Sequence, residues 1–320
     1  MGSRLFTRLG TLRQLEIFAK VAEHRSMARA AEELYLSHSA VSVQVRKLTE
    51  AVGLPLHEVI GKRLYLTDAG REVVATANRV FAEIGRLDET INGLKGLRAG
   101  RLRIAVVTTA KYFLPRILGA FCREYPEIEV EFHVGNRAQI IARLESNRDD
   151  LYIFNDLPRE LDIASHPFLA NPLAVIASRR HRLAGRKGLE WPDLENETFL
   201  MREPGSGTFN AVRRHLDRRG EELGKTMTIE SNEAIKYAVV ENMGITILSA
   251  YVLADAVGTD LVQLRVAGFP VLSDWHVVHP KSRSMSMIAE RFLEFVLKRG
   301  PDVLPMENLE RQVERALARV

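Results

Sequence analysis

A single cysteine, Cys122, stands in 320 residues. One thiol excludes an internal disulfide and a cysteine-rich zinc site. Long apolar runs are missing too: no stretch approaches the roughly 20 residues that a membrane-spanning helix needs. The first thirty residues, MGSRLFTRLGTLRQLEIFAKVAEHRSMARA, carry charges throughout and contain no apolar segment of the kind an export signal uses. The expectation is a cytoplasmic protein with no membrane partner, long enough to bury a sizeable core in more than one domain.

Net charge is small and unevenly placed. Residues 101–320 carry 30 Lys and Arg against 30 Asp and Glu, whereas residues 1–100 carry 15 against 11. The whole net charge of +4 therefore lies in the first third. A basic nucleic-acid module joined to a neutral remainder has this balance, and so does a merely solvated basic surface.

Signatures of catalysis are equally scarce. His276 and His279 form an HxxH, but on a strand residues three apart point to opposite faces, so the pair makes a poor metal site. Ser206 has no identifiable base beside it in the chain. The stretch PGSGT does not have the GxxxxGK[ST] spacing of a phosphate-binding loop. Cys122, inside the amphipathic segment GAFCREY, reads as packing. The expectation is a protein that is not an enzyme, with no metal and no cofactor.

What the chain does contain begins with an interrupted helix. Residues 12–24, LRQLEIFAKVAEH, place Leu12, Leu15, Phe18, Ala19 and Ala22 three or four apart on one helical face. A second helix follows in SMARAAEELY, with Ser26 as its N-cap and Ala30, Ala31 and Leu34 inward. The adjacent alanines let another helix approach closely. After the polar step Ser37-His38-Ser39, apolar residues return at Val41, Val45 and Leu48, and a third helix runs from about Ser39 to Val52, closed by Gly53. Its outer side carries Ser42, Gln44, Arg46 and Lys47. Two short helices, a tight turn and small residues at the crossing describe a helix-turn-helix, whose second helix enters the major groove.

The stretch LRQLEIFAKVAEHRSMARAAEELYLSHSAVSVQVRKLTEAVGLPLHEVIGKRLYLTDAG closely resembles the DNA-binding region of LysR-type transcriptional regulators. The resemblance covers about sixty residues, including the spacing between the parts. It implies a winged helix-turn-helix over residues 1–67, with EVIGKRLYLTDAG as the wing and its exit. Matched to the family's recognition helix, His38, Ser39, Ser42, Val43 and Arg46 face DNA, and Lys62 and Arg63 in the wing lie over phosphates, where contacts position rather than specify. Two departures stand out. Val43 replaces a residue that is basic in many relatives, so readout there is apolar. His57 replaces the usual wing aromatic.

From Arg71 to Lys95 there is no proline. Apolar residues fall at Val73, Ala77, Val80, Ile84, Leu87, Ile91 and Leu94, at intervals of 4, 3, 4, 3, 4, 3. This is a heptad stripe on a helix of roughly 37 Å, read as a dimerising linker over residues 68–98. The resembled family uses its linker helix in the same way. Pairing two recognition helices implies an inverted repeat in double-stranded promoter DNA, a homodimer or homotetramer, and RNA polymerase as a further candidate partner. The segment GLKGLRAGR marks a hinge.

After residue 100, short β-rich runs alternate with helices, the pattern of parallel βαβ units in an α/β fold. RLRIAVV, IEVEFHV, DDLYIF, PLAVIAS and TMTIES read as strands. FLPRILGAFCREYP, RAQIIARLES, TFNAVRRHLDRRG and NEAIKYAVVEN read as helices. Ligands of open α/β folds collect where strands end and helices begin. Four such junctions are polar here: Thr108, Thr109 and Lys111; Asn136 and Arg137; Arg202, Ser206, Gly207 and Thr208; and Ser231, Asn232 and Lys236. Hydroxyls, amides and cations together describe an anion site, although Ser206 and Ser231 equally suit ordinary N-caps.

The family resemblance continues through this region. It implies a two-lobed effector domain like a periplasmic binding protein over residues 99–300. Lobe I covers about 101–170 and 270–300, and lobe II about 171–269, with crossover strands near HPFLANPLAVIAS and PVLSDWHVVHP. VTTAKYFLP, DDLYIF, REPGSGT and SNEAIK look most like the Calvin-cycle (rubisco operon) branch, which is associated with phosphorylated metabolites or NADPH as effectors. Residues 301–320 read as a C-terminal tail helix, covering an edge of its own domain or aiding tetramer assembly. The reading is an allosteric regulator of carbon-fixation genes. Its alternatives are a LysR-type regulator of amino-acid or aromatic metabolism and a solute-binding transport protein.

Overall fold

The computed structural model describes residues 11–60, 63–94, 100–254 and 260–304. The chain divides into an N-terminal unit up to Ile91 and a C-terminal unit from Asn92.

The N-terminal unit comprises α1 (Leu12–His24), α2 (Met27–Glu33), α3 (His38–Val52), β1 (His57–Ile60), β2 (Arg63–Leu66) and α4 (Asp68–Leu94). The break between α2 and α3 is built by local chemistry. Tyr35 adopts a positive φ of 54°, the Leu36 N–H returns to the Ala31 carbonyl, and Ser37 Oγ accepts from the Ala40 N–H at 3.1 Å. The cap therefore sits at Ser37 and α3 begins at His38, one residue before the expected start. Ser26 caps α2, and Gly53, at φ +79°, closes α3.

Leu15, Ile17, Phe18 and Val21 of α1 pack with Ala30 and Ala31 of α2 and with Val41, Val45 and Leu48 of α3. The expected inward face of α1 is thereby corrected. Leu12 is exposed, while Ile17 and Val21 are buried, because α1 packs on both α2 and α3 and a single narrow stripe cannot serve both. β1 and β2 form an antiparallel hairpin with His57 opposite Leu66. His57 is half-buried, and desolvation pushes its pKa below the ordinary histidine value.

The heptad stripe on α4 divides in two. Ala77 is wholly buried and, with Val74, belongs to the core of the N-terminal unit, against which Val73 is packed as well. This corrects the expectation that all seven positions face a partner: Ala77 has no surface to offer one. A helix leaving a small domain has to bury its first turns on that domain. Val80 is half-buried, and Ile84, Leu87 and Ile91 are exposed. The side chain of Leu94 and the hinge at 95–99 lie outside the described residues.

The C-terminal unit runs through β3 (Gly100–Val107), a 3-10 turn (Thr108–Tyr112), α5 (Leu114–Glu124), β4 (Ile128–Gly135), α6 (Arg137–Glu145), β5 (Leu151–Phe154) and the long β6 (Ile163–Ser178). A second 3-10 turn (Trp191–Leu194), β7 (Thr198–Met201), α7 (Gly207–Arg219), β8 (Lys225–Thr228) and α8 (Asn232–Val240) follow. Then come β9 (Thr246–Ser249), α9 (Ala250–Ala254), β10 (Leu261–Gln263), β11 (Val271–Pro280) and α10 (Met287–Val303). The main sheet has the order β10-β6-β11-β5-β3-β4, with β9 also on β6, and β7 pairs with β8 separately. β3 is parallel to both β4 and β5, as alternating strands and helices require.

β6 and β11 run antiparallel along ten residue pairs and join two cores, and β6 reaches a third through Ile176, with Leu200, Ile235 and Val239. Phe168, Leu169 and Trp275 join a core with Ile104, Phe113, Phe121, Tyr152 and Phe292. Leu173, Val175 and Val271 join another with Leu194, Phe199, Val212 and Ile247. The crossover strands thus fall where the family resemblance implied them, and PLAVIAS is the second half of β6 instead of a separate strand. The strand at TMTIES is shorter than expected, ending at Thr228. α10 continues past residue 300 to Val303, and residues 305–320 lie outside the described residues.

Candidate DNA-reading surface and effector cleft

The outer side of α3 is an open polar surface. His38, Ser39, Val43 and Arg46 are exposed and Ser42 is half-buried. Among the described residues, Arg46 meets Glu50 in a long ion pair at 3.8 Å. Gln44 does not share that surface: its Oε1 accepts from Gln14 Nε2 of α1 at 2.9 Å, which ties the two helices together. Arg63 is exposed at the start of β2. Lys62 lies outside the described residues.

The four polar junctions of the C-terminal unit behave differently from one another. At their centre, buried Arg202 donates to Asn232 Oδ1 at 2.8 Å, and Asn232 Nδ2 donates to Thr109 Oγ1 at 3.2 Å. Thr109, Arg202 and Asn232 lie after β3, after β7 and at the start of α8, so one chain of hydrogen bonds joins elements from different cores. The Arg202 guanidinium also forms a two-pronged pair with Glu203, both distances 2.8 Å. Ser206, Gly207 and Thr208 are buried beside this cluster at the head of α7. Ser206 Oγ accepts from the Phe209 N–H at 3.2 Å, and Ser231 Oγ accepts from the Ala234 N–H at 3.3 Å, so both hydroxyls act as N-caps.

Gly207 leaves room for Asn155: a Cβ there would stand 2.2 Å from Asn155 Oδ1, so that buried side chain would have to shift. Asn155 was not among the expected residues, nor was Asn171, whose Oδ1 accepts from Ser249 Oγ at 2.6 Å. Both asparagines are buried, and among the described residues their Nδ2 donors have no hydrogen-bond partner. Ser273 lies between them in space, donating to the Asn155 carbonyl and standing opposite Asn171 in the β6–β11 register. Asn155 directly follows β5, so the strand-end rule that found Thr108 applies to it as well. Asn171 breaks the apolar run of β6, a weaker signal.

Two carboxylates flank the cluster. On one side, Glu233 Oε1 accepts from Lys111 Nζ at 2.8 Å and from the Tyr112 hydroxyl at 2.7 Å, while its Oε2 accepts from Ser231 Oγ at 3.1 Å. Burial works against this charge, and the hydrogen bonds from Lys111 and Tyr112 outweigh it, so the carboxyl is held down at about 2. Lys236 Nζ lies 5.3 Å from the centroid of the Tyr112 ring. On the other side, Asp156 meets Arg137 at 3.3 Å, Arg214 at 2.9 Å and Asn210 Nδ2 at 2.7 Å. Two expected residues lie apart from the cluster. Asn136 is exposed, and its side chain forms a reciprocal cap with Gln139 at the start of α6. Thr108 Oγ1 donates to the Gly135 carbonyl, which joins the ends of β3 and β4.

The HxxH residues are not brought together. His279 Nε2 instead approaches His166 Nε2 at 3.4 Å. Desolvation first of all holds both His276 and His279 below the ordinary histidine pKa. No helix among the described residues is long and apolar enough to cross a membrane.

Comparison with known proteins follows these divisions. Residues 12–71 match the family model for bacterial regulatory helix-turn-helix proteins of the lysR family, and residues 95–301 match the LysR substrate binding domain. The HTH-type transcriptional activator CmpR of Synechocystis is 44% identical over 287 residues, which cover 89% of this chain and 94% of that protein. The RuBisCO operon transcriptional regulator of Acidithiobacillus ferrooxidans is 40% identical over 296 residues, covering 92% of this chain and 96% of that protein. Among solved structures, the regulatory domain of CcmR from Synechocystis, in complex with 2-PG, is 43% identical, with a TM-score of 0.59 over 62% of this chain and 95% of that one. Full-length OxyR from Pseudomonas aeruginosa shares the fold at 20% identity, with a TM-score of 0.71 over 90% of this chain and 93% of that one. With a helix-turn-helix in the N-terminal unit and an α/β C-terminal unit, both matched along nearly their whole length, the chain belongs to the LysR family of DNA-binding transcriptional regulators.

Proposed function

We propose that the protein regulates carbon-fixation genes in the cytoplasm, with promoter binding modulated by a small phosphorylated metabolite held in the cleft of the C-terminal unit. The observation that carries the effector class is the donor-rich cluster of Thr109, Arg202, Asn232, Asn155 and Asn171. Buried amide donors with no acceptor are costly unless a ligand supplies one, and an anion supplies several. The 2-PG complex of a 43% identical regulatory domain supports a phosphorylated acid in particular, and the RuBisCO operon regulators among the relatives support the genes. His38, Ser39, Ser42, Val43 and Arg46 read base edges, and Arg63, with Lys62, contacts phosphate. Ile84, Leu87 and Ile91 of α4 hold two copies together, so that paired recognition helices meet an inverted repeat. The ligand acts through a difference in affinity between two arrangements of the protein.

A thermal-shift titration of the full-length protein with 2-phosphoglycolate, phosphoenolpyruvate, NADPH and nonphosphorylated acids tests the effector class. Saturable stabilisation by a phosphorylated acid, lost in Asn232→Ala, is expected. Stabilisation by nonphosphorylated acids alone overturns it and moves the protein to another metabolic branch.

A further inference from the structure

Three of the four cations expected to receive an effector already hold carboxylates of the chain itself. Lys111 holds Glu233, Arg137 holds Asp156 and Arg202 holds Glu203. Of the three carboxylates, Glu233 has the contact set of a bound ligand. It receives an ammonium, a phenol and a serine hydroxyl on its two oxygens, and it sits in the first turn of α8, where the helix end favours negative charge. Its donors come from two parts of the fold. Lys111 and Tyr112 follow β3, in the first core's half of the cleft, whereas Ser231 and Glu233 open α8, which packs on β7 and β6. Lys111 and Lys236 both lie 5.3 Å from the Tyr112 ring centroid, so two ammonium groups share the ring whose hydroxyl binds Glu233.

We propose that Glu233 is an internal anion that latches the two halves of the cleft together and competes with the anionic effector for Lys111, Tyr112 and the head of α8. The competition rests on the effector reading above; the latch does not. A phosphorylated ligand must displace this carboxylate before it can use those donors. The intrinsic affinity is therefore reduced by the fraction of molecules that are latched. The low pKa of Glu233 accords with a carboxylate that stays charged throughout the physiological range. Glu233 thereby sets a threshold: anions with two or more charges displace it more effectively than singly charged acids do, which favours phosphate over a lone carboxylate.

The full-length protein carrying Glu233→Gln tests both parts, with retained operator binding as the check on folding. Tyr112→Phe serves as a second variant that removes one donor and leaves the charge. Hydrogen exchange without any added ligand reads the latch: amides at 108–112 and in the first turn of α8 exchange faster in Glu233→Gln, and unchanged exchange overturns the latch. Calorimetry with 2-phosphoglycolate reads the competition: Glu233→Gln binds at least about threefold more tightly, the scale of a partly exposed ion pair. Tyr112→Phe takes a donor from both anions, so it is read by exchange alone, where the same amides exchange faster than in the natural protein. Equal or weaker binding in Glu233→Gln overturns the competition. If neither the natural protein nor the variant binds any phosphorylated acid, the effector reading fails and the competition with it, while the exchange result still decides the latch.

Discussion

The surface of α3 and the cleft of the C-terminal unit are both polar, but they are polar in opposite ways. On α3 the side chains point to water and, among the described residues, are loosely held: Arg46 meets Glu50 at 3.8 Å and Ser39 Oγ meets Ser37 Oγ at 3.0 Å. In the cleft the polar groups are buried and bound to one another, as in the run Arg202, Asn232, Thr109. A partner that arrives from outside, such as a DNA groove, needs accessible groups on a rigid support, and a capped helix supplies that support from one stretch of chain. A small molecule has to be enclosed, and the enclosing donors must be satisfied by something before it arrives. Self-contacts among side chains from distant strands meet most of that need, and among the described residues the Nδ2 donors of Asn155 and Asn171 are left without one.

The largest expected effect separates the two regions completely. Replacing Ile84 and Leu87 together with glutamate puts charges on the exposed stripe of α4. Analytical ultracentrifugation should show monomers, and footprinting should show operator affinity lower by about two orders of magnitude, since two linked half-site contacts become one. Effector binding to the cleft should persist. Next comes Gly207→Val, whose Cβ would fall 2.2 Å from Asn155 Oδ1. Overpacking of this kind costs about 1–3 kcal/mol, and the C-terminal unit should melt earlier and lose its response to phosphorylated acids while still binding DNA. Arg46→Ala should weaken operator binding by about tenfold with no change in effector affinity, and an unchanged footprint would remove Arg46 from the reading surface.

The smallest effect is a pH slope in the C-terminal unit. His276 and His279 have depressed pKa values because burial disfavours the imidazolium. The unfolded chain therefore takes up protons near pH 6.5 that the folded one refuses. Stability is full above that value and declines as pH falls from about 6.5 toward the folded values. Melting curves from pH 7.5 to 5.5 should show the decline, and His276→Gln with His279→Gln should reduce it, leaving the part due to His215, whose pKa burial also lowers.

The legibility of the two regions follows the same contrast. The helix-turn-helix could be read because its signals are local: Ser26 and Ser37 cap helices three residues ahead of them, and Gly53 ends one. The face of α1 was misjudged because Leu12 fits the periodicity as well as Ile17 does, and only the packing of α2 and α3 distinguishes them. In the C-terminal unit, the rule that strand ends and helix starts gather ligands singles out Thr109, Arg202 and Asn232, which the structure joins by hydrogen bonds. The same rule also gathered Asn136, which faces solvent and caps α6. Asn155 obeyed it and was passed over. Glu233 was missed because a carboxylate in the first turn of a helix is ordinary in sequence, and its partners Lys111 and Tyr112 lie more than a hundred residues away.

Caps, helical periods, strand alternation and the family motif are encoded within a few residues of chain, so the winged helix, the long α4 and the first strands and helices after residue 100 were legible at that level, whereas β7, β9, α9, β10 and α10 were not. Which part of the α4 stripe is buried, which amides are left without acceptors, and which carboxylate answers which cation depend on residues far apart in the chain. Those outcomes come from burial and from pairing across β6 and β11, because desolvation makes a polar side chain choose a partner only once folding has taken water away.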